Sequence, residues 1–357
     1  MHDESGKRRV IIDVDTGVDD ANAIIFALLC GRFAIEAITT VHGNVDVDTA
    51  TRNALYIVER LGRPDIPVYR GAARALVGPA PRDATILHGQ DGLGNTGLAR
   101  PMIQRQSTCA ASALIQHVLA APGEISILIL GPQTNVALAV RAEPGFAEAV
   151  KEIIFIGGRV TRRGEVNPFV TLNIGEDPEA AHIILQKTEI PVTMLTQEVA
   201  FQVMYGLQDL DRIAAFGNGI ATFAAEISRY YIEQQMKFLG ATAGSVPNLA
   251  TIAYAVRPEL FKVRAMWVDV DTSHGYARGA VIAGSPSYLH YDQYDSRVLV
   301  NRPAVGADEF FATPEADEVA PPGRKVNVPC DMQAEVVAQW YEQLLAAVPS
   351  LLAQETV

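Results

Sequence analysis

The sequence predicts an α/β protein: a mostly parallel sheet whose strands alternate with crossover helices. Three observations carry that expectation. Short apolar runs recur at residues 9–14, 35–41, 125–130, 153–156 and 192–195. Segments with apolar residues at helical spacing fall between them, at 20–29, 49–61, 109–120 and 177–186. The runs also end in short polar or Gly-rich turns, which a parallel sheet lines up along one edge: residues 40–44, 131–135 and 157–159.

The first run, 9–14, reads as a buried strand, and Ala21, Ile24, Ile25, Leu28 and Leu29 repeat at the spacing of an apolar helix face. Residues 15–19 therefore form a strand-to-helix turn. Gly17 supplies the backbone freedom such a turn uses, and Asp19 and Asp20 fall in the first helical turn, where the dipole favours negative charge. In an open α/β sheet this is where ligand sites form. The segment places four carboxylates, Asp13, Asp15, Asp19 and Asp20, within eight residues. Such a cluster is solvated, or partly protonated, or neutralised by a hard cation such as Ca²⁺ or Mg²⁺. The plain reading is an acidic helix cap without chemistry; four acids and a glycine in one turn favour the metal.

The 357 residues contain no Ser/Gly-rich or Pro-rich linker, charge block or low-complexity stretch, so one domain over residues 1–357 is expected. A net charge of −12 and a pI near 5.1 argue against nucleic acid, whose phosphates need basic patches. A small-molecule ligand is expected instead. Cys30, Cys109 and Cys330 lie far apart without Cys-x-x-Cys spacing, which suggests neither a disulfide framework nor a thiolate metal site. Residues 1–9 are polar and no run approaches the roughly 18 apolar residues of a membrane span, so neither a signal peptide nor a membrane partner is expected and the location reads as cytoplasmic.

Other chemistries fare worse. The strand ending in Asp13-Val14-Asp15-Thr16 is compatible with a haloacid dehalogenase-type phosphatase, but the later turns offer Gly131-Pro132-Gln133-Thr134 and Gly157-Gly158-Arg159, without the Lys and further acidic pair that phosphoryl transfer needs. No Gly-x-Ser-x-Gly elbow occurs, and Cys109 lies in a helical pattern without a nearby base. The Gly-rich segment 88–97 has no strand ahead of it and reads as a flap over a pocket, not a dinucleotide loop. Arg159, Arg162 and Arg163 form a small cationic cluster, more often a solvated face than an anion contact. The helix at 224–238, with Tyr230, Tyr231 and Met236, reads as a cover over one side of a ligand pocket, although packing or a subunit interface explains it equally well.

Five segments carry a family resemblance: Asp13-x-Asp15-x-Gly17-x-Asp19-Asp20-Ala21, residues 39–45 (Thr-Thr-Val-His-Gly-Asn-Val), 88–94 (His-Gly-Gln-Asp-Gly-Leu-Gly), 130–138 (Leu-Gly-Pro-Gln-Thr-Asn-Val-Ala-Leu) and 172–181 (Leu-Asn-Ile-x-x-Asp-Pro-Glu-Ala-Ala). In this order, together with residues 269–279, they resemble the inosine-uridine preferring nucleoside hydrolases. The resemblance implies a single Rossmann-like domain that hydrolyses N-ribosyl bonds with Ca²⁺, usually as a homodimer or homotetramer, in purine and pyrimidine salvage. It casts Asp15 as a Ca²⁺ ligand that also takes a proton from the metal-bound water. Asp20 and the Thr134 carbonyl become further ligands, and Asp19, Asn44 and Asn173 become sugar contacts.

The chain departs from the family pattern in two places. Where the family commonly has His-Asp, this chain has Pro247-Asn248, which leaves Asn248 as an uncharged fourth ligand and removes the proton donor to the leaving base. Glu165 and Thr171 stand where the family has a sugar-binding Asn and Glu. His88, Tyr230 and Tyr231 are the candidates to assist the leaving group, each with a strong packing alternative; His88 is also expected to contact the base. The expectation is an active hydrolase with shifted preference; the alternative is a weakened homologue that binds a nucleoside or polyol without turning it over.

Overall fold

A computed structural model describes residues 6–78, 84–160, 166–167, 169–187, 190–284 and 324–349. Among the described residues eleven strands are formed: β1 (Arg8–Val14), β2 (Phe33–Thr40), β3 (Val68–Arg70), β4 (Ser126–Ile129), β5 (Glu152–Ile156), β6 (Val192–Leu195), β7 (Met204–Tyr205), β8 (Gly244–Ser245), β9 (Phe261–Val270), β10 (Val281–Gly284) and β11 (Arg324–Met332). Nine of them make one sheet in the order β10-β9-β11-β6-β5-β4-β1-β2-β3, and β7 and β8 pair separately. From β3 to β6 all neighbours are parallel. The run β3-β2-β1-β4-β5-β6 is the doubly wound order, which reverses direction between β1 and β4 and opens a crevice there.

The strands at the centre form because both their faces are covered. Val10, Ile12 and Val14 pack into the larger apolar core with the helix Val18–Leu29, while Ile11, between them, enters a second core with Leu114 and Val118 of the helix Ala110–Ala120. A strand buried on two faces reads as a continuous apolar run, which is why β1 is visible in sequence. The helix after β1 starts at Val18, two residues before its expected start, because Asp20 Oδ2 accepts the Gly17 N–H at 3.1 Å and caps the helix from within. On the opposite side of that helix lies the helix Ala334–Ala346. Tyr341 donates to Asn22 Oδ1 at 2.8 Å and Trp340 sits edge-on to Phe26, 4.8 Å between centroids.

The antiparallel edge β9-β10 was not expected. β9 is exposed along its middle, with Lys262 and Arg264 pointing outward, so it lacks the apolar run that marks the central strands.

Candidate active site

The polar centre lies at the carboxyl ends of β1, β2 and β4, on the crevice where the sheet reverses. Asp15 follows β1 and is fully buried. Its Oδ2 accepts the Asn44 N–H at 2.7 Å, and Asn44 Nδ2 reaches both Asp15 Oδ1 (3.2 Å) and Asp20 Oδ2 (3.0 Å). One asparagine thus bridges two buried carboxyl groups. Gly43 makes the approach possible: a Cβ there would stand 1.9 Å from Asp15 Oδ2.

Burial shifts these acids far from their ordinary range. Desolvation pushes Asp15 up to about 8 and Asp13 to about 7, and Asp20 lies well above its usual value because it is desolvated beside Asp15. Asp20 Oδ1 is buried without a hydrogen-bond partner. Two adjacent buried carboxyls with an unsatisfied oxygen suit a hard cation, since a positive charge restores their ionised forms. Among the described residues no three His, Cys, Asp or Glu side chains gather as a metal cluster. The expected ligand set is consistent with that, because it holds two carboxylates only and completes its sphere with a carbonyl and an amide.

Thr134 begins the helix that follows β4 (Thr134–Ala142), and its side chain is anchored from two sides. It donates to Asp177 Oδ2 at 2.6 Å and lies 3.2 Å from His42 Nε2. Burial lowers His42 to about 4, so the ring is neutral and its Nε2–H faces the threonine oxygen. Asp13 and Asn135 add a second brace. Asn135 Nδ2 donates to Asp13 Oδ1 (2.8 Å) and the Thr40 carbonyl (2.9 Å), while its Oδ1 accepts Ala72 N–H (2.9 Å). His42, Gly43, Asn135 and Asp177 lie within the family-like motifs, but no local pattern assigns them a part, because their partners lie up to 122 residues away.

A cavity of about 630 Å³ opens above this centre, with Asp19, Asn44, His88, Asn173, Gln197, Tyr231, Pro247 and Asn248 among its lining. Asn173 spends both amide hydrogens on the Leu130 (2.6 Å) and Ile156 (3.2 Å) carbonyls, so its oxygen is the end left for a ligand. Asn248 is buried at the start of the helix Asn248–Val256, which packs on Val18–Leu29. The structure does not bring Thr171 into the cavity lining: its Oγ1 accepts the Gly158 N–H at 2.9 Å. Glu165, Arg162 and Arg163 lie outside the described residues.

The three candidate acids separate. Tyr230 is not part of the cavity lining and donates to the Ile86 carbonyl at 3.4 Å. Tyr231 lines the cavity and stacks on His88, 4.8 Å between centroids. His88 accepts the Val18 N–H at Nδ1, and burial lowers it to about 3, so it is neutral with its hydrogen on Nε2. It can donate a hydrogen bond but is not a cationic acid. The segment that follows it is not a loose flap: the Asp91 carboxylate accepts the Leu93, Asn95 and Gly97 N–H groups, and Asn53 Nδ2 holds the Asp91 carbonyl.

A doubly wound sheet with buried carboxylates and a nucleoside-sized cavity at its reversal point defines an open α/β protein built for a small polar ligand. Comparison with known proteins narrows the class. The profile of the inosine-uridine preferring nucleoside hydrolases matches residues 10–321. Probable uridine nucleosidase 1 of Oryza sativa subsp. japonica is 36% identical over 264 residues, 74% of this chain and 81% of that protein. The pyrimidine-specific ribonucleoside hydrolase RihA of Citrobacter koseri is 34% identical over 277 residues, 76% of this chain and 87% of that protein. The solved structure of the plant nucleoside hydrolase PpNRh1 superposes with a TM-score of 0.82 at 33% identity, covering 96% of this chain and 99% of that one. The chain belongs to the inosine-uridine preferring nucleoside hydrolase family, and it is an N-glycosyl hydrolase. Among the described residues no helix is long and apolar enough to cross a membrane.

Proposed function

We propose that the protein hydrolyses the N-glycosidic bond of a ribonucleoside with Ca²⁺ as its metal, and that Asp15, Asp20, the Thr134 carbonyl and Asn248 hold the ion. The observation that carries this reading is the pair of buried carboxyls at Asp15 and Asp20, bridged by Asn44 and lifted far above their ordinary range by burial. When bound, the cation supplies a positive charge that makes an attacking water easier to deprotonate.

The remaining work falls to the chain. Asp15 takes the proton of the attacking water. Asp19, Asn44 and the Asn173 oxygen hold the sugar hydroxyls, so that the ring can flatten as positive charge builds at its anomeric carbon. His88 offers its Nε2–H to the departing base. Because that ring stays neutral and Pro247 carries no proton, the base leaves with a hydrogen bond rather than with a full proton from a cationic acid. Bases that are stable as anions are therefore the favoured leaving groups. Uridine fits that requirement, and the similar plant and bacterial proteins are a probable uridine nucleosidase and a pyrimidine-specific ribonucleoside hydrolase. The setting this reading implies is nucleoside salvage in the cytoplasm by a homodimer or homotetramer.

The test is release of free base and reducing sugar from a panel of purine, pyrimidine and modified nucleosides, in Ca²⁺ and again after chelation. Calcium-dependent release is expected. Release that survives chelation removes the metal, and silence across the panel with Ca²⁺ bound leaves a nucleoside- or polyol-binding protein.

A further inference from the structure

Asn53 lies on the helix Val47–Arg60, outside the ligand cavity, and is only 3% exposed. Its side chain reaches the site from behind. Nδ2 donates to the Thr16 carbonyl at 3.1 Å and to the Asp91 carbonyl at 2.9 Å, so both amide hydrogens are used. Its Oδ1 accepts Arg52 Nη2 at 3.3 Å, and the same Nη2 donates to the Asp91 carbonyl at 3.1 Å. Thr16 follows Asp15 directly and Asp91 lies three residues after His88. One amide therefore ties the carboxylate turn to the segment that carries the histidine.

That segment is braced as one body. Besides the three N–H groups on the Asp91 carboxylate, Gly92 N–H donates to the Gly89 carbonyl (3.1 Å) and Gly94 N–H to the His88 carbonyl (2.8 Å). It is packed closely on two sides: a Cβ at Gly92 would stand 2.8 Å from Asn53 Nδ2, and one at Gly94 2.6 Å from the Ile227 carbonyl oxygen. Asp15, by contrast, is fixed without Asn53, by the central strand β1 before it and by Asn44. Two hydrogen-bonded fastenings join the body to the turn: Val18 N–H on His88 Nδ1, at 3.1 Å, and the Asn53 amide. With the amide gone, the segment is left to pivot about His88, and the imidazole turns its Nε2–H out of line while the carboxylates stay in place.

We propose, resting on the hydrolase reading above, that Asn53 is a positioning residue for departure of the base: it sets the spacing between the Asp15 turn and the His88 segment, and so aims the His88 Nε2–H at the leaving group. A group misplaced by about 1 Å costs on the order of 10²-fold in rate.

The experiment compares kcat and KM of Asn53→Ala and of the unaltered protein on uridine and on p-nitrophenyl riboside, whose phenolate leaves without a donor. Asn53→Ala is expected to lose at least about tenfold in kcat on uridine with KM little changed, to keep most of its rate on the p-nitrophenyl riboside, and to bind Ca²⁺ as before by calorimetry. Equal losses on both substrates, or weakened Ca²⁺ binding, show that Asn53 only supports the fold and overturn the proposal. If Asn53→Ala does not fold, Arg52→Ala carries the same comparison, since it removes the second donor to the Asp91 carbonyl from a half-buried position. A smaller loss confined to uridine is then expected, and no loss overturns the proposal. If the unaltered protein turns over neither substrate, the hydrolase reading fails separately, and the His88 ring-nitrogen NMR signals, assigned by their disappearance in His88→Gln, decide the positioning. They are expected to shift in Asn53→Ala or Arg52→Ala; unchanged signals overturn it.

Discussion

Gly43→Ala tests the carboxylate centre more sharply than removal of an acid, because it keeps every proposed ligand. The Cβ introduced at residue 43 stands 1.9 Å from Asp15 Oδ2, 2.7 Å from its Cγ and 2.9 Å from its Cβ. Ordinary contact begins at 3.4 Å, and no flexible end can yield, since Asp15 is wholly buried and tied to Asn44 N–H at 2.7 Å. The carboxyl group must swing or the turn carrying Asn44 must lift. Overpacking of this kind costs about 1–3 kcal/mol in a core. A displacement of about 1 Å in a reacting group costs on the order of 10²-fold in rate. We expect Gly43→Ala to fold with a lowered Tm, to lose at least about 10²-fold in kcat on uridine and to bind Ca²⁺ more weakly by calorimetry. Gly62→Ala is the control, because Gly62 is also at positive φ but has nothing within 4 Å of a new Cβ. A Gly43→Ala protein with unchanged kcat and unchanged Ca²⁺ affinity would show that Asp15 does not act where the structure places it.

Three further outcomes are expected. Asp15→Asn should retain its circular dichroism and lose on the order of 10²–10⁴-fold in kcat, the usual contribution of a general base; undiminished turnover removes Asp15 from that role. Asn248→Asp should tighten Ca²⁺ binding through its added charge, and an unchanged calorimetric affinity removes Asn248 from the ligand set. Calcium-free protein should lose thermal stability as pH rises through about 7 to 8. Asp13 and Asp15 are raised by burial from 3.8 to about 7 and 8, so the stability they contribute is complete below about pH 4 and is lost as they are forced to ionise. Ca²⁺ should flatten that loss, and a Tm that is level from pH 6 to 9 after chelation contradicts it.

The parts of the molecule that sequence made legible are those governed by local pattern. β1 shows itself because Val10 to Val14 are covered on both faces, and the helix after it because its apolar residues recur at 3.6. Asp15, Asp19 and Asp20 stand out as acids crowded into one strand-to-helix turn and Asn44 through the family resemblance, and the structure brings them to one point. What remained hidden depends on partners distant in the chain. Nothing local to Thr134 announces that His42 and Asp177 grip its hydroxyl from opposite sides. Gly43 reads as a turn glycine, and only the closeness of Asp15 gives it a reason. β9 is hidden for a different cause: it pairs with β10 and β11 at the rim of the sheet, where solvent covers much of its surface and charge is tolerated.

The reversal of strand order also shapes the biogenesis of the enzyme. The second neighbour of β1, β4, pairs Ser126 with Val10 and is synthesised more than a hundred residues later. At a synthesis rate of about 5–20 residues per second, that edge waits on the order of 10 seconds for its partner. Through that interval Val-Ile-Ile presents an unpaired apolar backbone, the kind of surface that chaperones recognise and that seeds aggregation. The helix that follows β4 starts at Thr134, so the proposed ligand set around Asp15 is complete only after β4 has docked, and catalytic competence becomes a late checkpoint on correct assembly of the chain.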